Sequence, residues 1–209
     1  AKLTVGQGNI FKYCIAHHNI DDGWDLFSKI ETGPISPVVI EDCVAYKNGS
    51  LSDGSGNGDG NGFKMGGDGI AVPHIIRNSI AYCNGTSGIT SNSNPAIIIK
   101  NCTTYGNKGA NINLYGKGDG TRSFIVTNTI SLQGGTSDVY REMPEIESKT
   151  NFLWNGAIAK NIDGLQIDIH IFNTVDCTLR PEIQNDGTIN MKGLFQLNKK
   201  TLQNIGAQL

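Results

Sequence analysis

A repeating pattern of apolar and polar positions runs from residue 9 to residue 134. Each copy has two apolar residues, a polar residue, an Asn, Asp or Tyr, a small Cys, Ser or Thr, and then alternating residues that end on Asn or Gly. Alternation with a period of two is typical of a strand with one buried face, so each copy predicts short β-strands. The copies occupy 9–19, 38–48, 74–84, 96–107 and 123–134.

The spacing of the copies predicts how the strands are arranged. Their small positions are separated by 29, 36, 23 and 27 residues, which is a period typical of solenoids. The chain has 12 Leu against 26 Ile, too few Leu for a leucine-rich horseshoe. A propeller blade needs about 40 residues or more. We therefore expect an all-β fold, a right-handed parallel β-helix whose coils stack about 4.8 Å apart.

Stacked coils place equivalent residues in rows along the axis. One row at a bend consists of Asn19, Asn48, Asn84 and Asn107, whose amides are expected to hydrogen-bond to each other and to turn backbone. A second row is expected to be a solvated outer stripe of alternating charge without chemistry. That row contains Lys12, Glu41, Arg77, Lys100 and Thr127.

The small residues form a third, inward row. It contains Cys14, Cys43, Ser79, Cys102 and Thr129. Because free cysteine is among the most buried residue types, the three cysteines of this row are expected to be reduced and buried. The five cysteines of the chain include no CxxC pair, so nothing resembles a zinc site.

One coil carries an insertion. Five residues after Asn19, Asn84 and Asn107 comes an apolar residue, but after Asn48 the matching residue is Phe63, ten positions late. The intervening stretch 49–62 has the composition of a flexible linker and is expected to be a mobile loop. Its aspartates, Asp53 and Asp59, do not match the spacing of an EF-hand.

The domain organisation follows from the repeats. Residues 1–145 are expected to form the coils with the candidate site, and residues 146–209 further coils and a cap of the same domain. The chain starts without an initiator Met or signal peptide, so we expect a mature or truncated piece.

Composition and charge exclude several classes of protein. Of the 209 residues, 38% are hydrophobic and 17% charged, which indicates a folded globular protein. The formal net charge of −2 and the lack of a Lys/Arg cluster argue against nucleic acid as a partner. No run of about 18 apolar residues is present, so no membrane-spanning helix is expected.

The candidate chemistry lies beside the insertion. Asp21, Asp22 and Asp25 in the string NIDDGWD concentrate negative charge, and oxygen ligands of this kind favour Ca²⁺. The alternative is that they only cap turns. Lys64 occupies the position equivalent to Asp25 on the next coil. A divalent cation nearby would lower the pKa of this lysine and make it a competent general base, whereas the alternative is a surface ion pair with Asp25.

Four strings closely resemble the pectate lyases of polysaccharide lyase family 9: NIFKYCIAHHNIDDGWDLFSK, NGFKMGGDGIAVPH, NSIAYCNG and ITSNSNP. The resemblance covers residues 1 to about 115, and the stretch 172–197 also resembles the C-terminal part of the family. It implies a secreted bacterial β-helix enzyme that cleaves polygalacturonate. It also implies that Asp21, Asp22 and Asp25 bind Ca²⁺ and that Lys64 is the Brønsted base.

In one respect the chain is expected to depart from the family. The family's calcium site uses a further aspartate of the preceding coil, which would fall before Ala1. The chain is therefore expected to be an N-terminally truncated member with an incomplete calcium site. The reaction implied is a β-elimination, in which Lys64 removes the C5 proton of a uronate and the C4 oxygen leaves.

Two other function classes stay open. A polygalacturonase-type glycoside hydrolase would use paired carboxylates, although the Gly-His-Gly and Arg-Ile-Lys strings of those enzymes are absent. A non-catalytic carbohydrate-binding or adhesive β-helix is the other.

Trp24 is expected in the core, and one of His17 and His18 is expected to point inward in a structural role. The expected partner is a pectin chain, and the expected oligomeric state is a monomer.

Overall fold

The computed structural model describes residues 6–117, 122–140, 143–198, 202 and 204–209. Three parallel sheets run side by side along the first part of the chain, and successive strands of each sheet come from successive coils. The first sheet contains β1 (Asn9–Lys12), β4 (Val38–Glu41), β7 (Ile75–Arg77), β10 (Ile98–Lys100) and β13 (Ile125–Thr127). The second contains β2 (Ile15–His17), β5 (Val44–Tyr46), β8 (Ile80–Tyr82), β11 (Thr103–Tyr105) and β14 (Ile130–Leu132). The third contains β3 (Trp24–Asp25), β6 (Phe63–Lys64), β9 (Ile89–Thr90) and β12 (Ile112–Asn113).

The strand register confirms the parallel β-helix and the alignment of the repeats. In the first sheet Phe11 pairs with Ile40, Ile40 with Ile76, Ile76 with Ile99 and Ile99 with Val126. These pairs reproduce the expected steps between copies. In the third sheet Trp24 pairs with Phe63, which confirms that ten extra residues lie before Phe63.

The turns between the first and second sheets explain the Asn, Asp or Tyr position of the repeat. Tyr13, Asp42, Asn78, Asn101 and Asn128 all have positive φ angles, between 45° and 53°. Asn and Asp tolerate this left-handed conformation better than most residues, because their short side chains hydrogen-bond locally. The repeat therefore specifies where each coil turns.

The asparagine row forms the expected hydrogen-bonded ladder. The side-chain amide of Asn19 donates to Asn48 at 2.8 Å, Asn48 donates to Asn84 at 2.9 Å, and Asn84 donates to Asn107 at 2.9 Å. Asn107 in turn donates to Asn111 at 2.8 Å. These bonds tie consecutive coils together at one bend.

Glycines make room for this ladder. A Cβ at Gly62 would lie 2.8 Å from the amide nitrogen of Asn84, and one at Gly88 would lie 2.7 Å from that of Asn107. Each glycine precedes a strand of the third sheet, where the next coil's asparagine passes close to its backbone. Larger side chains at these two positions would displace the ladder.

The inward cysteine row is confirmed in part. Cys43 and Cys102 are fully buried, and both are free thiols. Cys14 is also free but half-buried, so the expectation that it is buried was wrong. The reason is that, within the described part of the chain, Cys14 belongs to the outermost coil and only Cys43 stacks on it.

The outer stripe is the charged surface expected from the sequence. Glu41 accepts from Lys12 at 3.2 Å and from Arg77 at 2.6 Å. All three side chains lie at the solvent boundary, where an ion pair contributes about 0–1 kcal/mol. The stripe therefore has a minor effect on stability.

The C-terminal part of the chain covers the outside of the second sheet. After β14 the parallel stacking continues as a bridge of Phe152 with Ile130, and the strands that follow pair in antiparallel orientation. Its strands are β15 (Leu153–Trp154), β16 (Ala159–Lys160), β17 (Gln166–Ile167), β18 (Glu182–Ile183) and β19 (Ile189–Asn190), with 3₁₀ turns at Pro144–Ile146 and Ile169–Ile171.

Two apolar clusters result from this arrangement. One fills the interior of the coils and includes Ile40, Ile76 and Ile99. The other lies between the outer face of the second sheet and the C-terminal part, where Tyr82 packs against Phe195 with ring centroids 5.2 Å apart. In the residues that the structure describes, no helix is long and apolar enough to cross a membrane.

Candidate functional site

The candidate residues lie at the start of the third sheet. Asp25 ends β3 and Lys64 ends β6, and the two residues are direct neighbours in the parallel register, as the sequence predicted. Asp21 and Asp22 precede β3 in the turn that leads into it. The insertion 49–62 leads into β6, so both sides of the site reach the same edge of the sheet.

The second half of the insertion is bound to the aspartate turn. The Asp21 carboxylate accepts a hydrogen bond from the backbone N–H of Asp59 at 2.9 Å. The Asp22 carboxylate accepts from both the backbone N–H and the side-chain amide of Asn61, each at 2.8 Å. The backbone N–H of Gly58 donates to the Ile20 carbonyl at 2.9 Å, and a Cβ at Gly58 would overlap that carbonyl.

These bonds change the interpretation of the loop. The composition of 49–62 predicted a mobile segment, but in the structure residues 58–61 are fixed by backbone hydrogen bonds on both sides. Thr86 of the following coil also contacts this stretch, since its N–H donates to the Gly60 carbonyl at 2.9 Å. Glycine-rich sequence is needed here for close backbone approach as much as for flexibility.

The loop brings a third carboxylate to the site. Asp21, Asp22 and Asp59 each place one carboxylate oxygen within 4.8 Å of the others. The Lys64 amine lies 3.1 Å from Asp22 Oδ2 and 3.0 Å from Asp59 Oδ2. The Asp22 side chain is only 1% exposed and that of Lys64 11%, so this ion pair is shielded from water.

The environment raises the pKa values of two of these groups. Burial raises the pKa of Asp22, against the hydrogen bonds from Asn61 and the charge of Lys64. Burial alone would lower the pKa of Lys64, but its ion pairs with Asp59 and Asp22 and the nearby charge of Asp25 raise that pKa above its ordinary value. The expectation of a lowered lysine pKa assumed a divalent cation beside the amine; the carboxylates alone act in the opposite direction.

Asp25 is placed differently from the other two predicted ligands. Its Oδ1 accepts a hydrogen bond from the backbone N–H of Phe27 at 3.0 Å, and the described three-carboxylate cluster does not include it. Sequence reasoning noted Asp59 but left it in a mobile loop. The signal that could have found it is the position of the insertion, between the aspartate turn and Lys64.

The residues fit a hard divalent cation. Three carboxylates converge on one space, and a single lysine only partly offsets their charge. The buried Asp22 Oδ2 receives no hydrogen bond other than its ion pair with Lys64. Carboxylate oxygens in this density suit Ca²⁺, which takes six to eight oxygen ligands.

Two aromatic predictions have different outcomes. Trp24 is 5% exposed and stacks on Phe63 with centroids 4.8 Å apart, so it belongs to the core as expected. The expectation that His17 or His18 points inward was wrong. Neither is buried, because Ala16 takes the inward position of β2 and His17 faces outward, stacked on Tyr46 at 4.8 Å.

Comparison with known proteins gives relatives that include pectate lyases. The chain is 46% identical over 170 residues to "Pectate lyase L" of Thermoclostridium stercorarium, a match covering 80% of this chain and 14% of that protein. It is 42% identical over 204 residues to "Pectate lyase L" of Paenibacillus polymyxa (strain SC2), covering 95% of this chain and 43% of that protein. The chain thus spans less than half the length of these relatives.

Solved structures show the same architecture. The crystal structure of pectate lyase Pel9A matches with a TM-score of 0.68 at 29% identity, over 96% of this chain and 47% of that one. A rhamnogalacturonan lyase matches with a TM-score of 0.71 at 25% identity, over 97% of this chain and 52% of that one.

The description "Pel9A-like, right handed beta helix region" belongs to a family model that matches residues 1–137. The match spans the copies of the repeat and both sides of the candidate site, and it agrees with the resemblance found in the sequence. The chain therefore belongs to the Pel9A-like right-handed β-helix family.

Proposed function

We propose that this chain is the catalytic β-helix of a Ca²⁺-dependent pectate lyase that cleaves polygalacturonate by β-elimination. The observation that carries the proposal is the contact of the Lys64 amine with Asp22 and Asp59 inside a converging carboxylate cluster. Membership of a family whose relatives are named pectate lyases supports it.

The carboxylates have the role of holding the cation. Asp21 and Asp22 are the proposed ligands that the cluster brings together, and Asp59 adds a third carboxylate. Asp25, beside Lys64 in the register, is the further ligand implied by the family resemblance. A bound Ca²⁺ would supply Lewis-acid stabilisation of the negative charge that develops on the uronate carboxylate.

Lys64 has the role of the base. The C5 proton of a galacturonate unit is weakly acidic, because it lies α to a carboxylate. The Lys64 amine takes this proton, and the electron pair of the C5–H bond forms the 4,5 double bond of the product. The C4–O bond breaks with its electrons on the glycosidic oxygen, which takes a proton from water. The carboxylates around Lys64 raise its pKa and keep it protonated, so cleavage requires their charge to be neutralised first. The rate is therefore expected to rise with pH.

The test is the substitution Lys64→Arg in the full-length protein. Arginine keeps the positive charge but does not release its proton, so the formation of unsaturated product should fall about 10²–10⁴-fold. Calcium affinity should stay close to that of the unsubstituted protein. Lys100→Arg, on the exposed outer stripe, is the matched control and should keep full activity. Substantial elimination by Lys64→Arg would contradict the assignment of the base.

The structural neighbour suggests a second substrate to include. Because a rhamnogalacturonan lyase shares the fold, the same assay should compare polygalacturonate with rhamnogalacturonan. New reducing ends without an unsaturated product would indicate the glycoside hydrolase instead. Binding without any cleavage would indicate the carbohydrate-binding module. Since the proposed substrate is a polymer outside the cell, we also propose that the protein is secreted.

A further inference from the structure

Two cysteines outside the interior row meet at the surface of the β-helix. Cys83 lies in the turn after β8, and Cys177 lies in the C-terminal part of the chain, 94 residues later. Their sulfur atoms are 2.8 Å apart, and both residues are free and half-buried. A disulfide bond is about 2.05 Å long, so less than 1 Å of movement between the two sulfur atoms would allow it to form.

We propose that Cys83 and Cys177 are an oxidisable pair whose disulfide fastens the C-terminal part of the chain to the β-helix. The co-reactant is a low-molecular-weight disulfide such as oxidised glutathione. The Cys83 thiolate attacks one sulfur of that disulfide, forms a mixed disulfide and releases one thiolate. The Cys177 thiolate then attacks the Cys83 sulfur and releases the second thiolate. The two protons of the cysteines end on the two released thiols, so two cysteines are oxidised and one disulfide is reduced.

The surroundings suit Cys83 as the attacking thiol. The hydrogen bond from Cys177 and the nearby charge of Lys47 lower the pKa of Cys83. Cys83 and Lys47 also line an open cavity of about 530 Å³, which residues of the insertion line as well. A small disulfide can reach the Cys83 sulfur through this cavity. The thiolate is the nucleophile in disulfide exchange, so a cationic, partly exposed position favours reaction.

The fold gives the bond a mechanical consequence. Tyr82, next to Cys83, packs against Phe195, and the C-terminal part buries much of the outer face of the second sheet through such contacts. A covalent link at this point closes a long loop between the β-helix and its cover. Closing a loop of this length restricts the unfolded chain, which should lower the unfolding equilibrium constant on the order of a thousandfold.

Thiol counting tests the proposal on the full chain. The protein is incubated with reduced or oxidised glutathione, denatured, labelled with a maleimide and weighed intact. We expect five labels after reduction and three after oxidation, with a linked peptide pair containing Cys83 and Cys177. Cys14→Ser, which removes a thiol of the inward row, should lose one label in each condition and keep the redox difference. Cys177→Ser should carry four labels after reduction and three after oxidation, because Cys83 then stops at the mixed disulfide with glutathione and no linked peptide pair forms.

The denaturation midpoint supplies a second readout that does not depend on labelling. Oxidation should raise the midpoint of the unsubstituted protein and of Cys14→Ser, and should leave that of Cys177→Ser unchanged. Five labels after oxidation would overturn the proposal. A disulfide that involves Cys14, Cys43 or Cys102 would also overturn it, as would a midpoint that does not respond to oxidation in the unsubstituted protein.

Discussion

The asparagine ladder gives the sharpest quantitative prediction about stability. Asn84 is fully buried and makes four side-chain hydrogen bonds. Its Oδ1 accepts from the backbone N–H of Asn48 at 3.2 Å and from the Asn48 amide at 2.9 Å. Its Nδ2 donates to Asn107 at 2.9 Å and to the Ala45 carbonyl at 3.1 Å. Asn84→Ala removes all four bonds and leaves polar partners from two neighbouring coils buried.

The cost follows from the groups that lose a partner. A buried donor or acceptor left unsatisfied costs about 1–3 kcal/mol, and Asn84→Ala affects two N–H groups of Asn48 and the Ala45 carbonyl. We therefore expect a loss of roughly 3–9 kcal/mol in the free energy of unfolding. Asn19→Ala is the matched control, because Asn19 is exposed and its amide donates one ladder bond, to Asn48 at 2.8 Å. That change should cost about 0.5–1.5 kcal/mol.

Equilibrium unfolding in urea measures both variants against the unsubstituted protein. We expect the loss in the free energy of unfolding to be several times larger for Asn84→Ala than for Asn19→Ala. If the two variants differ by less than about 1 kcal/mol, the ladder bonds exchange freely with water or rearrange, and the reasoning from buried unsatisfied groups does not hold for this fold.

Further predictions concern the carboxylate cluster and two buried titratable groups. Asp59→Asn keeps the backbone hydrogen bonds of the loop but removes the charge of the side chain. The Ca²⁺ affinity measured by calorimetry should therefore fall about tenfold or more. The Asp53 carboxylate faces Ser55 instead, so Asp53→Asn should leave the Ca²⁺ affinity unchanged. Burial raises the pKa of Asp138 to about 7, so between pH 4 and 7 the folded state keeps a proton that the unfolded state has lost. The contribution of Asp138 to stability should therefore fall by about 1.4 kcal/mol per pH unit as pH rises through that window, and the difference in slope between the unsubstituted protein and Asp138→Asn measures it in urea titrations at several pH values. Burial lowers the pKa of His74 to about 4, so the contribution of His74 has the opposite sign and falls as pH decreases from 6.5 to 4. The difference in slope between the unsubstituted protein and His74→Gln measures it, and an unchanged slope in either variant would contradict the assigned pKa.

The β-helix could be predicted because equivalent positions of successive coils keep the same type of residue. Inward apolar residues, the left-handed turn position and the ladder asparagines repeat together, so an alignment of the copies also gives the register. The ladder ends in a way the alignment did not indicate. On the coil after that of Asn107, the equivalent position is Gly134, which has no side-chain amide. Asn111 continues the ladder in its place.

This substitution has a steric explanation. Asn111 occupies the position that Gly62 and Gly88 hold on earlier coils, where a side chain would meet the next ladder asparagine. On the last coil Gly134 leaves that space open, so the Asn111 side chain can fill it and accept from Asn107. The change affects two rows together: the ladder row has a glycine where an asparagine is expected, and the row of glycines before the third sheet has an asparagine. Neither row considered alone predicts it.

The C-terminal part and the loop were the least predictable elements, for different reasons. The C-terminal part has no repeat, and its antiparallel strands are only two residues long, so their pairing depends on contacts with the second sheet. The loop sequence indicates flexibility correctly at its glycines, but its conformation is decided by partners 38 and 39 residues away, in Asp21 and Asp22.

Asp22 links the loop and the chemistry through one carboxylate. Oδ1 accepts both hydrogen bonds from Asn61, while Oδ2 pairs with Lys64. Asp22 can therefore anchor the turn and bind a cation at the same time, because the two roles use different oxygens. It follows that Asp22→Ala cannot separate the two roles, since it would release the loop and remove a ligand together. The separation requires Asp59, whose carboxylate reaches Lys64 while its backbone N–H, independent of the side chain, holds the loop to Asp21.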